Sequence, residues 1–476
     1  MKNIAEIIKL VGFLAVITFN VRCENNEFPD EEGVEDTLGY LCPFSENPRY
    51  WQYKGEPVLL LGATDDDNLF QWPAAGEHLA ELAAVGGNYV RNTMSCRDIS
   101  NLWPYQKLEN GVYDLDLWNE EFWELFDNFL KLAWEKNIIV QIEIWDKFDY
   151  EGEVWQRNPV NPKNNMNYTY AESSLKENVS SKGQVFFHSF PGRPNYNPKL
   201  DIIREYQEKL VDKILSYSFE YDNILYCMNN ETNEAPDWGA YWINHVRSKA
   251  EEMDKYVYVT DMYEEFHSMP KCPKCLQMVA NPDFYPFLDV SQINNRVFNE
   301  DHWVILEKVI NEREIYDLRP ANCTKVYGGG NYSWGSGTNE DGVERFCRNL
   351  IGGIAAVRHH RPPHGNGLNE KAKATIKAVR KVEGLVSFWD IEAKMKLLGN
   401  RENDEAYLAC NQGNGYVIYF PGEGNVELDL RGVDKEFILW WINVDTGEWG
   451  ANFKVEGGGF LEIKTPDTSG WFAVIK

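Results

Sequence analysis

The stretch Val58-Leu-Leu-Leu-Gly-Ala-Thr-Asp-Asp-Asp67 separates two architectures that begin in the same way. Residues 58–63 form an apolar run with the length of a strand covered on both faces, as strands of a parallel sheet are. A doubly wound dinucleotide-binding sheet would follow such a strand with a glycine-rich phosphate loop. Here Asp65, Asp66 and Asp67 follow instead, and the short hairpin pattern Asn47-Pro-Arg-Tyr-Trp-Gln-Tyr-Lys-Gly-Glu-Pro57 precedes. Further along, short runs rich in β-branched or aromatic residues recur at 89–91, 138–144, 224–228, 256–260, 287–290, 325–327 and 354–357. Helical periodicity falls between and after them at 76–85, 119–136, 200–218, 238–254, 302–312, 342–351 and 369–382. Strand and helix alternating eight times over about 330 residues predict an α/β fold of the (β/α)8 TIM-barrel type.

Beyond residue 392 the texture changes. Short strands at 407–410, 416–420, 426–430, 437–443, 460–464 and 471–475 are separated by turn signals such as Asp445-Thr-Gly447, with no long helix among them. That pattern predicts a small all-β sandwich over 393–476 behind a barrel over 39–392, with Trp440 and Trp441 as core or barrel-contact residues. Two domains also suit a chain of 476 residues, too long for one ordinary core.

Residues 1–22 carry Lys2 and Lys9 and an apolar stretch too short to span a bilayer, and read as a signal peptide. Cys23 comes next and offers the one route to a membrane, a lipid anchor, although Asn20, Val21 and Arg22 match the small residues of a lipobox poorly. Residues 23–38 form an acidic linker. The expected location is therefore secreted, periplasmic or cell-surface. Cys272-Pro-Lys-Cys275 stands without a second pair, so a local disulfide or two free thiols are expected rather than zinc.

A formal charge of −27 argues against a nucleic-acid partner and an anionic membrane, and favours a neutral substrate. The 17 Trp, 25 Tyr and 24 Phe suit stacking against pyranose rings, and equally suit burial in a large barrel. A monomer is expected.

In a parallel barrel the active site is built at the C-terminal ends of the strands, so the polar residues just past each run are the ones to read. The first run gives Asp65, Asp66 and Asp67; the third gives Glu143 and Asp146; the fourth gives Asn230 and Glu231; the fifth gives Asp261, Glu264 and Glu265. The second ends on Arg91, the sixth on Gln292 and Asn294, and the eighth on Arg358, His359 and His360. Glycosidic cleavage needs one carboxyl held protonated and a second kept ionised, and two carboxylates across one cleft supply both. A mouth lined with acids fits that chemistry better than acyl or phosphoryl transfer, and no Gly-x-Ser-x-Gly elbow is present for ester hydrolysis. Any single one of these acids is equally well a loop charge or a helix cap.

Asn230-Glu231 directly after Ile224-Leu-Tyr-Cys-Met228 resembles the Asn-Glu pair closing strand four of clan A glycoside hydrolases, and Asn88-Tyr-Val-Arg91 resembles that clan's second strand. The resemblance implies that Glu231 is the proton donor and acid/base, and that Arg91 supports a catalytic carboxylate. Across nearly the whole mature chain the sequence is similar to apiosidase-like bacterial barrel proteins with a C-terminal collagen-binding-like sandwich. The segments that carry this likeness are Asn47-Pro-Arg-Tyr-Trp51, Asp65-Asp-Asp-Asn-Leu-Phe-Gln-Trp72, Arg361-Pro-Pro363 and Trp441-Ile-Asn-Val-Asp-Thr-Gly-Glu-Trp449. It implies a glycoside hydrolase acting on a plant or microbial polysaccharide, with a carbohydrate substrate and no cofactor.

The chain departs from the clan at strand seven. A nucleophilic Glu belongs there, and Lys325-Val-Tyr-Gly-Gly-Gly-Asn-Tyr-Ser-Trp334 offers no carboxylate. Either another strand supplies the second acid, or a more distant base serves an inverting reaction, or catalysis has been lost and a glycan-binding protein remains. Asp261 is the first substitute, ahead of Asp146, Glu143 and Asp66. Trp145, Phe70 and Trp334 are candidate stacking platforms. Asp66, Asp67, Arg91, Glu143, Trp145, Asp146, Asn230, Asn294, Arg358 and His360 are the expected substrate-binding set. With no third spaced His a metal trio is not expected, and the three adjacent acids suit a polar clamp as well as calcium.

Overall fold

A computed structural model of the protein describes residues 40–180, 184–330 and 335–476. The expected signal peptide, Cys23, the linker and Trp334 lie outside the described residues. Eight parallel strands form the barrel: β1 (Leu60–Ala63), β2 (Tyr89–Thr93), β3 (Ile139–Asp146), β4 (Ile224–Asn230), β5 (Val259–Thr260), β6 (Leu288–Asp289), β7 (Ala321–Val326) and β8 (Ala356–His359). Their order is β5-β4-β3-β2-β1-β8-β7-β6. A helix follows each strand: α1 (Ala75–Ala84), α2 (Glu120–Glu135), α3 (Asp201–Ser218), α4 (Pro236–Glu251), α5 (Pro273–Val279), α6 (Asn299–Ile315), α7 (Asn339–Ile351) and α8 (Glu370–Glu383). Helix α2 shows why such segments are helical: Phe122, Trp123, Phe126, Phe129, Leu130 and Ala133 fall on one stripe and are all buried. Helix α5 has no counterpart in the sequence expectation because its seven residues are too few to show a period; it opens at Pro273, and Cys272 and Cys275 are joined by a disulfide.

The backbone ladder stops between β5 and β6, each two residues long. Side chains close that seam. Thr260 Oγ1 donates to the Phe287 carbonyl at 2.7 Å, and the Trp51 ring lies edge-on to Tyr258 and Phe287 with centroids 5.4 Å away. Trp51 comes from the N-terminal hairpin (Trp51–Tyr53 paired with Glu56–Val58), is fully buried, and donates from Nε1 to Asn322 Oδ1 at 2.9 Å. The hairpin thus plugs the barrel at the end where the strands begin.

Above this plug the interior is a ladder of polar rungs. Tyr89 OH donates to Gln141 Oε1 at 2.7 Å, Gln141 Nε2 donates to Asp289 Oδ2 at 2.7 Å, and Asn322 Nδ2 donates to Gln141 Oε1 at 3.1 Å. Side chains alternate across a strand with a period of two, so the inward residues after Tyr89 and Gln141 are Arg91 and Glu143, one layer nearer the mouth. Gly62 permits the close approach of β1 to β2 in this region, since a Cβ there would lie 2.0 Å from the Tyr89 carbonyl oxygen.

The C-terminal residues form two antiparallel sheets, one of six strands (Glu392–Ala393, Tyr407–Asn411, Gly415–Phe420, Trp471–Ile475, Glu436–Asn443, Trp449–Glu456) and one of three (Leu398–Gly399, Asn425–Asp429, Phe460–Lys464). Leu408, Ile418 and Ala473 point into the core between the sheets, while Tyr407, Val417, Tyr419 and Phe472 belong to the barrel-side core. The Tyr407 ring meets Trp303 of α6 at 4.9 Å, and Arg348 of α7 pairs with Asp404 at 2.7 Å. The architecture is therefore a TIM barrel with a β-sandwich against it. Besides α5, two further features beyond the sequence expectation stand out. The hairpin Tyr105–Lys107 with Tyr113–Trp118 sits in the loop after β2, and Trp449–Glu456 is an outer strand with only Val455 buried. A strand with almost no buried side has no hydrophobic alternation to read.

The plug yields a prediction for stability. Trp51→Ala should cost about 3–5 kcal/mol, because it empties a packed site and strands the Asn322 carbonyl. Urea unfolding of parent and variant measures this, and a loss under about 1 kcal/mol would mean that the hairpin does not close the barrel.

Candidate active site

Glu231 follows β4 at once, and its backbone is left-handed, with φ of +53°. A non-glycine residue held there costs roughly 1–3 kcal/mol, and such residues gather at functional sites. Its Oε1 accepts three hydrogen bonds: from Lys325 Nζ at 2.6 Å, from Tyr327 OH at 2.8 Å and from Gln292 Nε2 at 3.1 Å. Lys325 Nζ also donates to Asn230 Oδ1, and Asn230 Nδ2 donates to Asp146 Oδ2 at 2.9 Å. Strands β3, β4 and β7 and the loop after β6 thus converge on one carboxylate.

The charge state of Glu231 corrects the proton-donor expectation. Burial alone would raise its pKa, but the Lys325 ammonium, Lys147 and the Tyr327 hydroxyl outweigh burial and hold it far below the usual carboxylate range. Burial and the Glu231 charge push the Tyr327 phenol well above its ordinary value, so it is a neutral donor. The side chain facing Glu231 from strand seven is a cation, and its effect is opposite to that of the second carboxylate that would raise a partner's pKa.

A second cluster surrounds Asp67. Arg91 donates to Asp67 Oδ1 and Glu143 Oε2, each at 2.5 Å; Arg97 bonds to Asp67 and, at 2.7 Å, to Asp146; Arg361 Nε lies 2.7 Å from Asp67 Oδ2. Burial would raise the pKa of Asp67, yet the Arg91, Arg97 and Arg361 guanidinium groups hold it well below the ordinary range. Burial keeps His360 well below its ordinary value. Glu264, after β5, accepts from Lys147 at 2.8 Å and Asn233 at 2.6 Å; these bonds outweigh burial and lower its pKa.

These groups surround a cleft of about 480 Å³ lined by Asp67, Arg91, Arg97, Phe148, Asn230, Glu231, Glu264, Asn295, Arg296, Lys325, Tyr327, His360, Arg361 and His364. A second cavity of about 220 Å³ shares Asn230 with it and is bounded by Lys147, Tyr150, Phe187, Thr232, Asn233 and Glu234, among others. Of the residues named from sequence, Asp67, Arg91, Asn230, Glu231 and His360 meet in the first cleft. Glu143 and Asp146 lie behind it as partners of Arg91, Arg97 and Asn230.

Six other expectations are corrected. Asp261 turns away from the mouth: it is fully buried against α4, accepts from Asn229 Nδ2 at 2.8 Å, and packs so closely that a Cβ on Gly239 would meet its Oδ2 at 2.1 Å. Trp145 is a wall residue packed on Phe186, Trp238 and Trp242, and Phe70 is packed on Phe122 and Phe126, so neither is a stacking platform. Asn294 points toward α6 and α7, where His302 Nε2 and Asn349 Nδ2 lie 2.9 and 3.1 Å from its Oδ1. Arg358 is fully buried and bonds to the two neighbouring strands, through the Thr324 carbonyl of β7 and Thr64 at the end of β1. Asp66 does not line the cleft; its carboxylate accepts from the Asn68 amide at 2.9 Å, while Asp65 accepts from the Leu368 amide at 2.7 Å, so the three adjacent acids serve different partners.

Lys325, Tyr327, Arg97, Arg296 and Phe148 were missed as site residues, whereas Glu264, named at the end of the fifth strand but not chosen for the site, also lines the cleft. Lys325 and Tyr327 carried a usable signal, since alternation along β7 sends both the same way. Arg97 and Arg296 sit in irregular loops and Phe148 in a four-residue 3-10 turn (Lys147–Tyr150), where no period marks a facing direction.

No family model and no curated protein matches the chain. Solved structures do. A glycoside hydrolase structure aligns at 12% identity over 92% of this chain and 97% of that one, with a TM-score of 0.59. A glycoside hydrolase family 5 structure from Bacteroides vulgatus aligns at 12% identity over 92% and 94%, with a TM-score of 0.60. A gamma-CGTase from an alkalophilic Bacillus clarkii aligns at 12% identity over 87% and 68%, with a TM-score of 0.52. At such identity the likeness supports the fold, a TIM barrel with a β-sandwich, and leaves the chemistry to the residues.

Asp261 offers a test of its assigned place. Burial pushes its pKa up to about 6, so its contribution to stability is present below the ordinary aspartate range and is lost as pH rises through about 6. Asp261→Asn removes that loss. The stability of the variant relative to the parent should rise by roughly 1–3 kcal/mol between about pH 4 and pH 8 in paired urea titrations. A difference that does not change with pH would place Asp261 in solvent.

Proposed function

We propose that the mouth of this barrel binds a carbohydrate chain and does not cleave it by the two-carboxylate route. The observation that carries this reading is the Lys325 ammonium on Glu231, where a cleaving site needs a second carboxyl. None of the three carboxylates lining the cleft is held protonated: Asp67, Glu231 and Glu264 all lie below the ordinary range. What the cleft does offer is a mixture of neutral and charged donors, with the half-buried Phe148 ring and the edge of the buried Tyr327 ring in its lining, which suits a ligand of hydroxyls and apolar CH faces. The glycosidase-type fold supports the same ligand class.

Hydrolysis is the second reading, favoured by Glu264 opening into the same cleft as Glu231. Glu231 would then be the ionised nucleophile or base. Glu264 would be the donor, and would need a bound ligand to draw Lys147 away and raise its pKa.

Parent and Glu231→Gln are to be compared on pectic and hemicellulosic oligosaccharides by calorimetry and by reducing-sugar release. Binding by the parent, about tenfold weaker binding by Glu231→Gln, and no release by either protein are expected. Release by the parent that disappears in Glu231→Gln would replace binding with hydrolysis.

The pH profile is a separate check. With its carboxylates and His360 all held below their ordinary ranges, none of these groups should change charge between about pH 5 and 8. Affinity should be flat over that range. A bell-shaped profile with an apparent pKa near 6 would reveal a poised acid and contradict the binding-only reading.

A further inference from the structure

The cleft is more basic than the protein around it. The chain carries −27 overall, whereas five cationic side chains line the cleft against the carboxylates of Asp67, Glu231 and Glu264. Most of that positive charge is already engaged. Arg91 and Arg97 are each paired with Asp67 and backed by Glu143 or Asp146, and Lys325 is paired with Glu231.

Two guanidinium groups are left with donors to spare. Arg361 spends only Nε on Asp67; its Nη1 lies 3.7 Å from Asp98, and no hydrogen bond of either terminal nitrogen is present among the described residues. Arg296 is exposed and makes no hydrogen bond or ion pair among the described residues, while its backbone is left-handed with φ of +61°. Glu231 and Arg296 are the cleft-lining residues other than glycine with this backbone, so the fold bears the strain at both a charged acceptor and an uncommitted charged donor of the same cavity. Arg296 follows β6 and Arg361 follows β8, so the two flank Tyr327 at the end of β7.

We propose that Arg296 and Arg361 form an anion subsite, and that the sugar unit taken by this cleft bears a carboxylate or sulfate group. The proposal rests on reading the cleft as a carbohydrate site and names the class of sugar. Planar guanidinium groups pair with either oxyanion through two parallel hydrogen bonds, and cleft walls of low dielectric focus the field of a local cationic surplus. The expectation of a neutral substrate, drawn from net charge, is thereby set aside, since net charge sums the whole surface and a ligand meets only the cleft.

The test is calorimetry on the full-length protein and on Arg296→Gln, Arg361→Gln and the double variant, with thermal melting to confirm folding. The probes are oligogalacturonate, its neutral methyl ester, a sulfated galactan oligosaccharide and an unsulfated one, each at low and physiological salt. The parent should bind one acidic probe at least about tenfold more tightly than its neutral counterpart, with the advantage shrinking as salt rises. The better acidic probe tells carboxylate from sulfate. Arg296→Gln, which breaks no pair among the described residues, should remove most of that advantage, weakening the acidic form by about tenfold and its neutral counterpart by much less. Equal affinity for charged and neutral forms, or equal loss of both in Arg296→Gln, would overturn the anion subsite while leaving the glycan reading intact. A folded parent that binds none of the four probes would overturn the glycan reading itself.

Discussion

A buried ammonium group is tolerated in a barrel mouth only beside an ionised acceptor, and that requirement organises the centre of this protein. Lys325 is almost fully enclosed at the end of β7, and Glu231 and Asn230 from β4 supply the oxygen atoms it needs. The consequences spread outward. Glu231 stays ionised despite its burial, Tyr327 and Gln292 turn toward it as donors, and Asn230 is locked between Lys325 and Asp146. Two carboxylates at this spot would repel one another and drive one pKa upward; a carboxylate and an ammonium do the reverse. The ammonium at the end of β7 therefore sets the charge state of the whole barrel mouth.

The scaffold makes this arrangement stiff. Trp51 seals the lower end where β5 and β6 share no ladder, the rungs of Tyr89, Gln141, Asp289 and Asn322 fill the middle, and the paired charges of Arg91, Glu143 and Asp67 lie above them. In the charged layer each terminal nitrogen of Arg91 meets a carboxylate, while Arg91 Nε and Glu143 Oε1 are buried without a hydrogen-bond partner among the described residues. Asp67 shows how strongly the layers are coupled, since one carboxylate accepts from guanidinium groups that originate after β2 and after β8. Breaking a single member would leave several buried charges without partners, a loss larger than one pair would suggest.

Function on this fold resides in the side chains of the strand ends and their loops, and these depart from a cleaving arrangement in a consistent direction. Carboxylates have become acceptors for internal cations, and the donors left facing the cavity are Arg296, Arg361 and the Tyr327 ring edge.

The sequence by itself determined the barrel, its strand order, nearly all its helices and the sandwich, because burial of one face or both imposes a period of 2 or 3.6 that survives in a single chain. It also placed Asp67, Arg91, Asn230, Glu231 and His360 at the mouth, since a strand end is a position the period defines. Where alternation had no hold, only tertiary structure decided. Asp261 and Asn294 lie just past β5 and β6, strands two residues long, and they turn toward the helices instead of the cavity. Arg97 and Arg296 reach the cleft from loops, and Phe148 from a short 3-10 turn, whose directions come from packing. The protonation of Glu231 could not be read at all from its own neighbourhood in the chain: the cation that sets it stands 94 residues away, and a pKa is fixed by distance in space.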